Sequence, residues 1–287
     1  MEKRKYGAGR RVVLWVVFAV FVLYAFSLLY PFYWAFTNSL KSYLDYWENG
    51  SFSLPKKLFW VNYASAFEEI KIGGTNLIGM FINSVGLSLG GTLASVLVSA
   101  MTAYVIADYD FRGRKIVYTV AIFVMVIPVV GSLPAQYRLL SNLGLRNNLP
   151  GMIITYAGGF GFNFFMLYGY FKTVSWSYAE AAYIDGANDY QIFWKIMLRQ
   201  AMPAMFAVGI IQFINIWNDY TTPFLYLDKV PTLSLGLFSF QEKMTYAGAN
   251  YPVYFSALLM ATLPVVILFA AFQKQIMENT VAGGIKG

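Results

Sequence analysis

The chain contains no cysteine and no histidine. Disulfides, thiolate zinc sites, haem held by histidine or cysteine, and cysteine or histidine nucleophiles are therefore excluded, and most metalloenzyme and redox chemistries go with them. Charge is scarce as well: 12% of residues are Asp, Glu, Lys or Arg, against 58% apolar. A soluble chain of this size needs far more charge to cover its surface. No G-x-x-x-x-G-K-[ST] phosphate loop occurs, so any ATP chemistry must be supplied by another polypeptide.

What is present in abundance is long apolar sequence. Uncharged stretches cover residues 12–40, 72–107, 116–137, 147–171, 200–218 and 244–273. Each supplies the roughly 20 residues that a helix needs to cross the hydrocarbon core. None shows the alternation of barrel strands, and backbone groups in lipid must be satisfied within their own segment, which demands α-helix. The expected fold is all-α, an integral membrane bundle of six transmembrane helices at about 12–36, 77–107, 116–137, 149–171, 204–227 and 252–273. These form one transmembrane domain, 12–273, between a basic tail, 1–11, and a C-terminal tail, 274–287. Trp15, Tyr30, Tyr33 and Trp34 read as interfacial anchors of the first helix rather than as the end of a cleaved signal.

Lys and Arg set the orientation. With the N-terminus inside, Lys3, Arg4, Lys5, Arg10, Arg11, Arg112, Arg114, Lys115, Lys172, Lys195, Arg199, Lys274 and Lys286 are cytoplasmic, the larger share of the 21 basic residues. Both termini are then cytoplasmic. The net charge of +7 is explained by topology and by anionic membrane lipid, with no call for nucleic acid. The outer segment 37–71 reads either as a small structured cap or as a solvated loop. The short inner turn 108–114, with Gly113, predicts that helices two and three are antiparallel neighbours. Small residues at helical spacing on helix two, Ser84, Ser88 and Thr92 with Gly86, Gly90 and Ala94, fit close helix approach, within this chain or against a partner.

The most specific segment is 180–203, EAAYIDGANDYQIFWKIMLRQAMP, polar sequence between two apolar runs. Glu180, Ala181, Ala182 and Tyr183 favour helix, Asp185 and Gly186 supply a bend, and Asn188 or Asp189 suits the N-cap of a second helix through Ile192, Phe193, Ile196 and Met197. Ile192, Phe193 and Ile196 form an apolar face fit for a groove or the membrane surface, and Ala181 and Ala182 leave room for a neighbour. On form alone this is either a docking element or an interfacial helix.

The motifs Glu180-Ala181-Ala182, Ile184-Asp185-Gly186-Ala187 and Phe193-Trp194-Lys195-Ile196 resemble the cytoplasmic loop of permease subunits of binding-protein-dependent ABC importers, closest to the carbohydrate group typified by the maltose permeases. The resemblance extends over nearly the whole chain, through Asn83-Ser84, Phe111-Arg112-Gly113, Pro128, Pro134, Trp217-Asn218-Asp219 and the glycine-rich tail 280–287. It departs from the family at Leu198-Arg199, where Leu-Pro is usual, so a helix stop is missing and the second helix is free to run into helix five.

The resemblance implies a non-enzymatic subunit of the bacterial cytoplasmic (inner) membrane that forms half of a carbohydrate pathway and binds no cofactor itself. Its implied partners are a second related permease, two ATPase subunits that bind the ATP, and an extracellular or periplasmic solute-binding protein. Segment 174–203 is then a coupling loop, with Glu180, Ala181, Ala182, Ile184, Asp185, Gly186, Ala187 and Phe193 at the ATPase contact. For the substrate path, Gln212, Asn215 and Asp219 fall on one face of helix five beside Asn218, while Tyr156 and Asn163 flank glycines that weaken helix four. Interhelical hydrogen bonding accounts for the same polar residues. The rivals are a permease for a non-sugar solute, an ion-coupled secondary carrier and an intramembrane enzyme; the last two leave the 180–203 element unexplained.

Overall fold

A computed structural model describes residues 8–126, 133–247 and 250–282. Its helices are α1 (Ala8–Ser39), α2 (Tyr43–Asn49), α3 (Val61–Glu69), α4 (Leu77–Asp108), α5 (Arg114–Val126), α6 (Leu133–Asn142), α7 (Leu149–Tyr156) and α8 (Phe162–Phe171). They continue with α9 (Ser177–Ile184), α10 (Asp189–Ile192), a π-helical turn (Phe193–Met197), α11 (Leu198–Asn218), α12 (Thr221–Tyr226), α13 (Leu233–Ala247) and α14 (Tyr251–Ala282). The departure from all-helical structure is small, a two-residue antiparallel pair of β1 (Lys71–Ile72) with β2 (Thr75–Asn76).

Six spans were expected, and among the described residues four helices are long and apolar enough to cross a membrane: 9–39, 77–108, 189–218 and 251–274. The third expected span is represented by α5 and α6; residues 127–132 between them, Pro128 included, lie outside the described residues, as do 1–7 and 283–287. The fourth is interrupted between α7 and α8, where Gly161 adopts φ +125°, a backbone that only glycine takes without strain. The fifth ends at Asn218 rather than 227, because Asp219 turns extended (φ −71°, ψ 109°) before the short α12.

By its packing the chain divides into two compact units. The first comprises Met1–Glu69 and Phe240–Met260. Here α1 is apolar on every side, and its most apolar window has no buried residue, the signature of a helix surrounded by lipid or by another chain. Segment 37–71 is structured: Asn62 donates to the Ser39 and Lys41 carbonyls, both at 2.7 Å, and Lys41 Nζ donates to the Gly50 carbonyl at 2.8 Å. Burial holds the Lys41 ammonium below its usual pKa, with Asp45 opposing that shift. Tyr46 stacks on Tyr251 with ring centroids 5.2 Å apart.

The second unit comprises Ile70–Ser239 and Ala261–Gly287, and α4 is its centre. Small residues let α7 and α11 approach: a Cβ on Gly90 would lie 2.5 Å from Ile153 Cδ1, and one on Gly91 2.9 Å from Ile216 Cδ1. The glycines of helix two thus serve packing within the subunit. The expected pairing of helices two and three is not the main contact, since α4 packs chiefly on α7, α8 and α11. Instead α5 rests Tyr118 on Tyr168 of α8, 4.8 Å between centroids. Arg114 and Lys172 both donate to the Ala107 carbonyl, placing two cations at the C-terminal end of α4, where they offset its dipole.

Candidate functional site

Two parts of the second unit carry the polar chemistry, and the first is the element between α8 and α11. Helix α9 ends at Ile184, with Asp185 as its C-cap. The Gly186 amide then donates to the Tyr183 carbonyl at 3.0 Å and the Ala187 amide to the Ala182 carbonyl at 2.9 Å, with Gly186 at φ +79°. This paired closure with a left-handed glycine is a Schellman stop. Helix α10 starts at once: Asn188 Oδ1 accepts the Gln191 amide at 2.9 Å while Gln191 Oε1 accepts the Asn188 amide at 3.1 Å, a reciprocal capping box. Of the two candidate N-caps, Asn188 is the one used. Helix α10 then continues without a break through the π turn into α11, as the absent Leu-Pro stop predicts.

Glu180, Ala181, Ile184, Asp185 and Gly186 are exposed around the turn, Ile184 at 87%, and Ala187 is half-buried. Ala182 and Phe193 are different. They were expected at the contact surface, yet each is only 7% exposed and belongs to the core with Tyr104, Phe171 and Ile192. The apolar face expected to lie along a groove or membrane packs inward against α4 and α8, because that burial is available within the chain itself.

A polar clamp joins this element to the end of α4, and no sequence motif marks it. Asp189 Oδ1 accepts hydrogen bonds from Tyr183 and, at 2.9 Å, from Tyr109; the Tyr109 hydroxyl lies 3.3 Å from that of Tyr104. The hydrogen bond to Asp189 is the main cause that holds the Tyr183 phenol above its usual pKa, and burial is the main cause for Tyr109. Both stay neutral donors at physiological pH.

The second part is a cleft of about 260 Å³ at the α7–α8 interruption, lined by Ser95, Ser99, Thr155, Tyr156, Asn163 and Gln212. Phe160 and Phe162 complete its wall, both about half exposed. The interruption frees backbone carbonyls, and α4 satisfies them: Ser99 donates to the Gly158 carbonyl at 3.2 Å and Thr102 to the Gly159 carbonyl at 2.6 Å. Asn163 Nδ2 donates to Ser95 Oγ and Gln212 Oε1, both at 3.1 Å. The Tyr156 hydroxyl donates to Asp219 Oδ2 at 2.7 Å.

The structure therefore brings Tyr156, Asn163 and Gln212 to one cleft and pairs Tyr156 with Asp219. It leaves out Asn215, which is exposed, and Asn218, which is exposed and bonds back to the Ile214 carbonyl of its own helix. Asp219 does not share a helical face with Gln212, since α11 has already ended. Ser95, Ser99 and Thr155 were missed; Ser95 and Ser99 stand one turn apart on α4, a periodic polar signal within an apolar run.

Residues 95–278 match the family of the binding-protein-dependent transport system inner membrane component. The chain is 32% identical to the diacetylchitobiose uptake system permease protein of Streptomyces coelicolor, over 92% of this chain and 86% of the relative. It is 31% identical to the probable starch degradation products transport system permease protein of Thermoanaerobacterium thermosulfurigenes, over 91% and 93%. Among solved structures, a bacterial ABC transporter involved in import of the acidic polysaccharide alginate is similar, with a TM-score of 0.77 at 25% identity over 95% of this chain and 99% of that one. A bacterial alginate ABC transporter in complex with its pentasaccharide-bound periplasmic protein shares the fold, with a TM-score of 0.64 at 16% identity over 93% and 96%.

Proposed function

This chain belongs to the family of binding-protein-dependent transport system inner membrane components, and from that premise we propose that it forms half of the path of an ATP-driven carbohydrate importer. It is a multi-pass inner-membrane permease of the ABC type, a transport subunit rather than an enzyme. Its relatives named for uptake of diacetylchitobiose and of starch degradation products support carbohydrate as cargo. A second related permease and two ATPase subunits complete the proposed assembly, and a solute-binding protein delivers the substrate. Both termini and the 174–203 element lie on the cytoplasmic side, where the basic residues concentrate.

One observation carries the coupling role. The exposed turn at Asp185 and Gly186 is closed on both sides by its own hydrogen bonds and runs unbroken into the long helix α11. A displacement applied by an ATPase at Glu180, Ala181, Ile184, Asp185 and Gly186 is thereby delivered to a helix that lines the polar cleft through Gln212. Ala187 borders that surface, while Ala182 and Phe193 hold it from beneath.

The test is reconstitution of the permease pair with its ATPase and binding protein in liposomes, followed by a screen of solutes for stimulated ATP hydrolysis. Stimulation by an oligosaccharide is the expected result. Stimulation by another solute class alone overturns the cargo, and uptake that persists without the ATPase overturns energisation by ATP.

A further inference from the structure

We propose that the cleft between α4, α8 and α11 is a subsite for an uncharged glycan and excludes acidic sugars; this rests on the transport reading above. The cleft stands near the middle of α4, where unpaired polar groups are costly and need a reason. Asn163 is only 8% exposed, and although its Nδ2 serves both Ser95 and Gln212, its Oδ1 accepts no hydrogen bond among the described residues. Gln212 uses Oε1 for Asn163, and its Nε2 likewise donates to nothing described. Asn163 and Gln212 both line the cleft, and an amide oxygen and an amide N–H left over there are the pair that a sugar hydroxyl, itself donor and acceptor, satisfies in full. Phe160 and Phe162 supply the flat apolar surface on which the C–H face of a pyranose rests.

The charge of the site selects among glycans. No Lys or Arg lines the cleft, and the Tyr156 hydroxyl on its wall is hydrogen-bonded to a carboxylate, that of Asp219. The N-terminus of α8, with no side-chain cap, contributes about half a positive charge, which does not offset a full carboxylate. A uronate would enter low dielectric without a counter-ion and close to a like charge, both strongly unfavourable.

The decisive measurement is equilibrium binding of labelled maltotriose and labelled triguluronate to the assembled permease–ATPase complex in nanodiscs. The binding protein is left out, so its own selectivity plays no part. Maltotriose is expected to bind, triguluronate is not, and Gln212→Leu and Asn163→Leu each weaken maltotriose by about tenfold, roughly the worth of a hydrogen bond in a dry site. Co-purification of each variant with its partners establishes assembly, and Gln212→Glu, which keeps the size but loses the donor, must weaken binding as well. Equal binding of triguluronate, or maltotriose binding unchanged in all three variants, overturns the subsite. If proteoliposomes import glycans while those variants bind normally, only the subsite falls; if no glycan is bound or imported, the carbohydrate reading falls too.

Discussion

Helix α9 stops at Ile184 and helix α7 at Tyr156, and beyond each a glycine takes a positive φ, Gly186 at 79° and Gly161 at 125°. The two interruptions close in opposite ways. Around Gly186 every closing bond is local, from Tyr183 and Ala182 on one side and between Asn188 and Gln191 on the other. Around Gly161 the freed carbonyls of Gly158 and Gly159 are satisfied by Ser99 and Thr102, which are 59 and 57 residues away. An exposed turn has water for whatever its own residues leave unpaired, whereas a break within the bilayer must borrow donors from a packed neighbour. The turn at Gly186 is therefore capped by a short sequence, and the cleft is a property of the assembled bundle.

The largest expected effect tests the local half. Gly186→Trp costs about 1–2 kcal/mol in backbone strain at a left-handed position. Nothing lies within 4 Å of a Cβ there, so the chain still inserts and folds. ATP-dependent uptake should be abolished while immunoblots of membranes show normal amounts; normal uptake would break the functional side of the comparison.

Next is Thr102→Val, which keeps shape but leaves the Gly159 carbonyl without its donor, a loss of about 1–3 kcal/mol. The melting midpoint of the purified permease should fall, and an unchanged midpoint would mean that the break closes without α4. Asn188→Ala removes a cap worth about 1 kcal/mol. Its signature is faster hydrogen exchange confined to the Gln191 amide and its neighbours, with no change at the cleft. The smallest effect is expected for Tyr183→Phe, since Tyr109 still donates to Asp189. Exchange around α9 should quicken less than in Asn188→Ala, and a larger response would make the clamp, not the caps, the principal support of the turn.

Several elements were legible in advance because local pattern suffices for them. The spans of α1, α4 and α14, the bend at Asp185 and Gly186, and the run of α10 into α11 all follow from apolar length, turn chemistry and a missing proline. The errors share a cause. Ala182 and Phe193 were assigned to the outside because an amphipathic face does not say what covers it, and here α4 and α8 do. Asp219 was grouped with Gln212 by helical spacing, which fails because α11 ends before it, while Asn215 is exposed and Asn218 bonds back into its own helix.

The amino-acid sequence by itself determined that this is a membrane-spanning transport subunit with a turn at 185–188. Apolar length, absent residue types, glycine and capping side chains act over a few residues. Only the tertiary structure decided which polar side chains meet. Asn163 with Ser95 and Gln212, and Tyr156 with Asp219, come from different helices, and their partners depend on where α7 breaks and α11 ends. In lipid those meetings are enforced by the cost of an unpaired polar group, which no single segment can settle alone.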